Sequence, residues 1–148
     1  MIRPATPADR KLLREMFDEF YASDAVLHPV PASYHEATLD DLFSAGTTQR
    51  CFLLGEGETA GYALLSQKYS HEAGGIELWL EELYLRPQAR GRGAGSEFFT
   101  FLRGYGETIG ARRLRLEVEE ENTGARRLYR RMGFASLDYL QMIREDAQ

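Results

Sequence analysis

Residues 83–99 read "LYLRPQARGRGAGSEFF". The six residues Arg90 to Gly95 comprise three glycines, two arginines and one alanine. An apolar, strand-like segment precedes them, and an amphipathic segment with helical spacing follows. A flexible, basic turn between a strand and a helix decides how the rest of the chain is organised.

Upstream, "IELWLEELYL" is a long strand. "RCFLLG" and "TAGYALLSQKY" are two further strands separated by "EGE" (Glu56-Gly57-Glu58), a hairpin signal. "TLDDLFSAG" reads as a short helix ending at Gly46. "SDAVLHPVPASYHEA", with Pro29 and Pro31, reads as a surface loop. In "TPAD", Thr6 can cap a helix, Pro7 suits its first position, and Asp9 favours its positive end. Leu12, Leu13, Met16, Phe17, Phe20 and Tyr21 then recur at helical spacing. "MIRPAT" is a short first strand.

Downstream, Phe98, Leu102, Tyr105 and Ile109 mark one helix face. "RRLRLEVE" alternates at Leu114, Leu116 and Val118, as a strand does. Asn122 opens a helix with Ala125, Leu128, Tyr129 and Met132 on its inner stripe, and Gly133 is placed to end it in a left-handed cap. "FASLDYLQMI" reads as a final strand. The order β-α-α-β-β-β-α-β-α-β predicts an α/β fold: a mixed, mostly antiparallel sheet flanked by about four helices, in a single domain over residues 1–148.

Composition narrows the function classes. The 148 residues are 43% hydrophobic and 28% charged, an ordinary globular balance. A net charge of −5 argues against a nucleic-acid partner, which needs a basic surface. No apolar run approaches the roughly 20 residues of a membrane span. "MIRPATPADRKLL" carries charges and no signal-peptide core, so a cytoplasmic location is expected. The single cysteine, Cys51, excludes an intrachain disulfide and leaves a metal cluster without support, so no metal is expected. Cys51 opens the apolar run "CFLL" and reads as a core residue.

A helix start leaves backbone N–H groups without partners and is electrically positive. Glycines admit a ligand close to the backbone, and Arg90 and Arg92 add charge. The turn therefore suits an anion such as phosphate, while a plain tight turn with solubilising arginines explains the composition equally well. A P-loop is excluded, because no Lys-Ser/Thr pair follows the glycines. In a dinucleotide fingerprint, the third glycine would fall where Ser96 stands.

Arg90-Gly91-Arg92-Gly93-Ala94-Gly95 resembles the Q/R-x-x-G-x-G/A signature of the GNAT family of N-acetyltransferases. The run from Asn122 to Phe134 resembles that family's second motif, N-x-x-A-x-x-x-Y-x-x-x-G-F. Strand order and motif spacing also agree, and the resemblance covers roughly residues 76–135. "WLEELYLRPQARGRGAGSEF" is further similar to the diamine (spermidine/spermine-type) branch, which shows a Leu-acid-acid step at the same distance before the turn.

The resemblance implies acetyl-CoA as co-substrate, with its pyrophosphate on Arg90, Gly91, Arg92, Gly93, Ala94, Gly95 and Ser96. It implies that Leu83, Tyr84 and Leu85 present backbone groups to the pantetheine arm, with Asn122 and Ala125 contributing from the last helix. Tyr129 becomes the general-acid candidate, since a phenol is protonated at neutral pH and can donate to a departing thiolate. Its place on an apolar stripe is equally that of a packing residue.

Glu81 and Glu82 are carboxylates inside an apolar run, which is costly unless they are paired, solvated or protonated. Alternation points them to opposite faces, although a bulge can change that. Glu81 is preferred as base and Glu82 as charge partner for a cationic amine; a salt bridge to Arg86 or Arg115 is the competing reading. His28, Tyr34 and His35 fall in the proline-containing loop, where the family shapes its acceptor pocket, so His28 and Tyr34 are candidate substrate contacts.

The expected function is direct acetyl transfer from acetyl-CoA to a primary amine, with a small cationic, polyamine-like acceptor. A protein lysine or N-terminus is the alternative acceptor, and a non-catalytic acyl-CoA-binding sensor is the alternative of another class. A homodimer is expected from the resemblance alone.

Overall fold

A computed structural model describes residues 1–55 and 59–146. They fall into two compact units, Met1–Glu117 and Val118–Gln148.

The first unit carries the sheet. Strands β1 (Ile2–Pro4), β2 (Gln49–Leu54), β3 (Gly61–Ser70), β4 (Gly75–Leu85) and β5 (Ala111–Leu116) lie side by side in chain order. Each pair is antiparallel except β4 with β5, which is parallel because helix α3 (Ala94–Ile109) makes the crossover between them. Strands β2 and β3 pair in register from Gln49↔Ser66 to Leu54↔Gly61, as a hairpin should; the Glu56-Gly57-Glu58 turn itself lies outside the described residues.

Helix α1 (Arg10–Tyr21) follows a short 3-10 turn, Pro7–Asp9. The Thr6 N–H donates to Asp9 Oδ2 at 2.8 Å, the reciprocal half of a capping box. Leu13, Met16 and Phe17 of α1 pack with Leu39 and Leu42 of helix α2 (Ala32–Leu42), Cys51 and Leu53 of β2, Tyr62 and Leu64 of β3, and Tyr84 of β4. On the other face of the sheet, Phe98, Phe99 and Leu102 of α3 are buried. Burial pushes the Cys51 thiol up to about 12, which makes it a core residue and a poor nucleophile.

Three expectations change. Helix α2 spans Ala32–Leu42, so it ends four residues ahead of the expected stop at Gly46 and starts six residues before Thr38, inside the expected loop. Pro31 stands at its N-cap, so the prolines that signalled a loop instead set up a helix start. Tyr34 and His35 are therefore helical; His35 is buried at α2's inner face with Leu39 and Leu42. Salt bridges Arg10–Glu36 at 2.7 Å and Arg14–Glu36 at 2.6 Å tie α1 to α2.

The second change is Glu77, read as an ordinary strand residue but 1% exposed. Arg113 stands 3.3 Å from it, and Lys68 and Arg115 stand 3.9 and 4.0 Å away. Three cations offset the cost of burying one carboxylate.

The third change is at the C-terminus. In the second unit, helix α4 (Thr123–Arg131) forms, but no strand forms among residues 134–146. Leu137, Tyr139, Leu140, Met142 and Ile143 are exposed there. Apolar composition marks β-propensity, but a strand also needs a partner edge for its backbone hydrogen bonds.

Candidate active site

The turn after β4 is built by conformation rather than by crowding. Gly91 and Gly93 sit at φ 71° and 83°, in the left-handed region that favours glycine. A Cβ at either position would meet nothing within 4 Å, so open space lies beside both. Gly93 is the N-cap of α3 and supplies no side-chain cap. The N–H groups of Ala94, Gly95 and Ser96 form the helix's first turn, which α-helical bonding leaves without carbonyl partners. Arg92 is exposed beside them, whereas Arg90 folds back and its Nε donates to the Leu85 carbonyl at 2.9 Å. The uncapped first turn, the open glycines and the adjacent arginine fit a pyrophosphate.

Strand β4 leads into this turn, and its last residues are irregular on both sides. Its pairing with β5 runs from Ile76 to Leu80 and ends there; among the described residues, Glu81–Leu85 has only β3 as a strand neighbour. Opposite β3, the register shifts: Leu64 faces Glu82, whereas Leu65 faces Leu80. Glu81 is the extra residue, a β-bulge. Gly61 permits this close strand pair, since a Cβ there would stand 2.0 Å from the Tyr84 carbonyl oxygen.

The bulge overturns the expected alternation. Glu81 Oε1 accepts a hydrogen bond from Ser66 Oγ at 3.0 Å, so its side chain lies on the Ser66 face of the sheet. Glu82 stands opposite Leu64, which shares that face because it is two residues along β3. Both carboxylates therefore reach the side of the sheet that carries α1. Desolvation raises Glu81 above the ordinary carboxyl range, with Glu117 adding to the rise and the Ser66 hydrogen bond opposing it. Desolvation likewise raises Glu82, opposed by hydrogen bonds from Tyr21 and Tyr62 and aided by Glu81.

Neither acid makes the salt bridge considered from sequence. Arg86 pairs with Glu19 at 3.0 Å, and Arg115 lies over the Trp79 ring at 4.6 Å. The partners of Glu82 are instead two phenols: Tyr62 donates to Oε1 and Tyr21 to Oε2, each at 2.8 Å. Tyr84, read as an apolar strand residue, donates its hydroxyl to Glu19 Oε2 at 2.9 Å. Phe20, Tyr62 and Tyr84 contact one another at ring separations of 5.7 to 6.3 Å. Tyr21 appeared in the sequence only as a helical-stripe residue and Tyr62 only inside a strand; nothing in their spacing marked them as ligands of Glu82.

His28 lies exposed before α2, and Tyr34 is 53% exposed on α2. Among the described residues, the side-chain hydrogen bonds of Glu81 and Glu82 come from Ser66, Tyr21 and Tyr62 and not from His28 or Tyr34.

The second unit holds the remaining candidates. Asn122 caps α4 as expected, its Oδ1 accepting from the Ala125 N–H at 3.2 Å. At the other end, Gly133 is left-handed at φ 93°. Its N–H donates to the Arg130 carbonyl and that of Phe134 to the Tyr129 carbonyl, which together form a Schellman cap. The Tyr129 and Phe134 rings, 6.0 Å apart, make its accompanying apolar contact. The second sequence motif is thus, in part, the two caps of one helix. Tyr129 is partly buried, and that burial raises its phenol above the usual value, keeping it protonated at neutral pH.

The acetyltransferase (GNAT) family model matches residues 11–134, and the chain belongs to that family as an acetyltransferase. A candidate acetyltransferase from Arthrobacter sp. FB24 is 31% identical, with 98% of this chain and 95% of that one aligned at a TM-score of 0.81. An integron cassette protein from the mobile metagenome of Cole Harbour Salt Marsh is 25% identical over 99% and 91% of the two chains, with a TM-score of 0.83. The aminoglycoside N-acetyltransferase AAC(6')-Iy, solved in complex with a CoA bisubstrate analogue, shares the fold at 18% identity, a TM-score of 0.79, and coverage of 99% and 98%. No curated protein sequence matches significantly. Among the described residues, no helix is long and apolar enough to cross a membrane, and no group of three or more acidic, His or Cys side chains is placed to hold a metal ion.

Proposed function

We propose that the chain, as a single N-acetyltransferase domain over residues 1–148, transfers the acetyl group of acetyl-CoA directly to the primary amine of a small, cationic acceptor. The observation that carries this reading is the bulge at Glu81, which turns two carboxylates to one face of the strand that leads into the glycine turn. A polyamine-like acceptor arrives as a cation and must lose a proton before it can attack. One carboxylate meets the charge and the other takes the proton.

Acetyl-CoA supplies the activated acetyl group and a thiolate leaving group. Arg92, Gly91, Gly93 and the first-turn N–H groups of Ala94, Gly95 and Ser96 would hold its pyrophosphate. Arg90 acts indirectly, by tying the turn to Leu85. Leu83 and Tyr84 offer backbone groups along the strand, and Asn122 and Ala125 hold the start of α4. Glu81 acts as base: its raised ionisation brings it nearer neutrality, where a general base is most effective. Glu82 is the charge partner. Tyr129 stays protonated and donates to the departing thiolate. Fold relatives include both an aminoglycoside N-acetyltransferase and a ribosomal-protein-alanine N-acetyltransferase, so the preference for a small cationic acceptor rests on the paired carboxylates. The enzyme is proposed to work in the cytoplasm as a homodimer, with His28 and Tyr34 bordering the acceptor.

Thiol release from acetyl-CoA across polyamines, diamines, lysine analogues, aminoglycosides and N-terminal peptides tests the reading, with Tyr129→Phe beside wild type. Turnover on a small polyamine or diamine, with kcat reduced on the order of 100-fold in Tyr129→Phe and acetyl-CoA binding unchanged, is the expected result. Turnover on peptides alone would transfer the assignment to a protein acceptor. Acetyl-CoA binding without turnover would mark a sensor. An unchanged kcat in Tyr129→Phe would remove that residue from the chemistry.

A further inference from the structure

Glu82 is held by geometry that the proposed reaction does not by itself require. Tyr62 is fully buried and packed by Phe17 at 5.0 Å and Tyr84 at 5.9 Å, so its hydroxyl cannot swing away from Oε1. Tyr21, at the end of α1, packs on Phe20 at 5.4 Å and on the His35 ring at 4.9 Å, and its hydroxyl donates to Oε2. A carboxylate has about four acceptor positions; one phenol on each oxygen fixes its plane and leaves further lone pairs for a ligand.

The cations nearby are committed elsewhere. Arg86 is on Glu19, Arg115 is on Trp79 and near Glu77, and Arg14 is on Glu36 and Asp18. Among the described residues, no basic side chain pairs with Glu82. The other titratable groups facing this cluster are Cys51 from β2, Glu81 and Tyr84 from β4, Glu19 from α1, and His35 from α2 with Asp18 3.8 Å from it. The half-buried rings of Phe20 and Tyr21 supply π faces, to which an alkylammonium is attracted more strongly than a neutral group of the same shape.

We infer that Tyr21 and Tyr62 are positioning residues for the acceptor: their hydroxyls hold Glu82 as an oriented anion, and Glu82 with the adjoining aromatic rings receives the ammonium of an alkylamine. This rests on the acetyltransferase reading above and assigns it a specificity element that the family motifs do not contain. Two hydrogen bonds to the ionised form favour that form against the desolvation and the Glu81 charge that oppose it.

The test uses the full-length protein with carbon-13 labelled glutamate, in wild type, Tyr21→Phe and Glu82→Gln, the last to assign the Glu82 carboxyl resonance. Tyr21→Phe keeps the ring and its packing and removes only the donor. The Glu82 midpoint should move up by about one pH unit in Tyr21→Phe, a tenfold change in its ionisation constant. At neutral pH, n-butylammonium should perturb the wild-type resonance saturably, n-butanol should not, and the Tyr21→Phe variant should need several-fold more of the ammonium. An unmoved midpoint, or equal response to the amine and the alcohol, would overturn the inference. These readouts need no turnover, so a silent amine panel with an intact ammonium response would fail the acetylation reading alone.

Discussion

The glycine turn at Arg90–Gly93 and the bulge at Glu81 are both departures from regular structure in the same strand-to-helix connection, yet they arise differently. The turn is local. Two left-handed residues and an uncapped helix start follow from glycines, which alone adopt that conformation without strain. The bulge is relational. Glu81 is extra only with respect to β3, whose register decides which residue it faces. The turn leaves backbone N–H groups uncapped, which suits an anion; the bulge brings two carboxylates to one face, which suits a cation. One is encoded in residue type and the other in pairing.

Substitutions can separate the two. The largest stability effect is expected from Gly61→Ala, which sets a methyl group 2.0 Å from the Tyr84 carbonyl oxygen in the strand pair that forms the bulge. Destabilisation of about 3 kcal/mol is expected, seen as a fall in Tm of about 10 °C, with activity lost even below the transition. A native-like Tm would show that the strands can part there and that the bulge is not held by this contact.

Gly93→Ala should cost less, about 1–2 kcal/mol for a left-handed non-glycine residue. No neighbour crowds the new methyl, so the loss is conformational, and KM for acetyl-CoA should rise while KM for the amine stays constant. Equal changes in both constants would mean that the turn and the bulge are not independent.

The smallest effect is on pH-dependent stability. The folded carboxyls of Glu81 and Glu82 lie above their unfolded values. The stability they contribute is therefore complete below the unfolded carboxyl range and is lost as pH rises through the folded values. Asp9, held low by Arg3, and Glu19, held low by Arg86, work in the opposite sense: their contribution is complete above the unfolded range and is lost as pH falls. In urea titrations from pH 4 to 8, Glu82→Gln should lose less stability than wild type as pH rises, by under about 1 kcal/mol. A steeper decline in the variant would mean that Glu82 is better stabilised as an anion in the fold than in the unfolded chain.

Sequence legibility follows the same division. Asn122, Gly133 and the inner stripe of α1 were readable because capping and helical periodicity act within a few residues. The start of α2 was misread because Pro31 signals both a loop and a helix beginning, and only the burial of His35, Leu39 and Leu42 separates them. Glu77 looked like any acid in a strand because its cations come from β3 and β5. The two phenols on Glu82 come from α1 and β3, far apart in the chain, and no spacing rule could join them.

By itself, the sequence determined the order of elements through β5 and α4, the family, the conformation of the glycine turn and the caps of α4, because these depend on residue type and short-range periodicity. Only the tertiary structure decided that Glu81 and Glu82 share a face, that Tyr21 and Tyr62 hold Glu82, and that the expected last strand does not form among the described residues. Each of those depends on hydrogen bonds offered by a distant part of the chain, and a backbone or carboxylate group is committed only when such a partner is in reach.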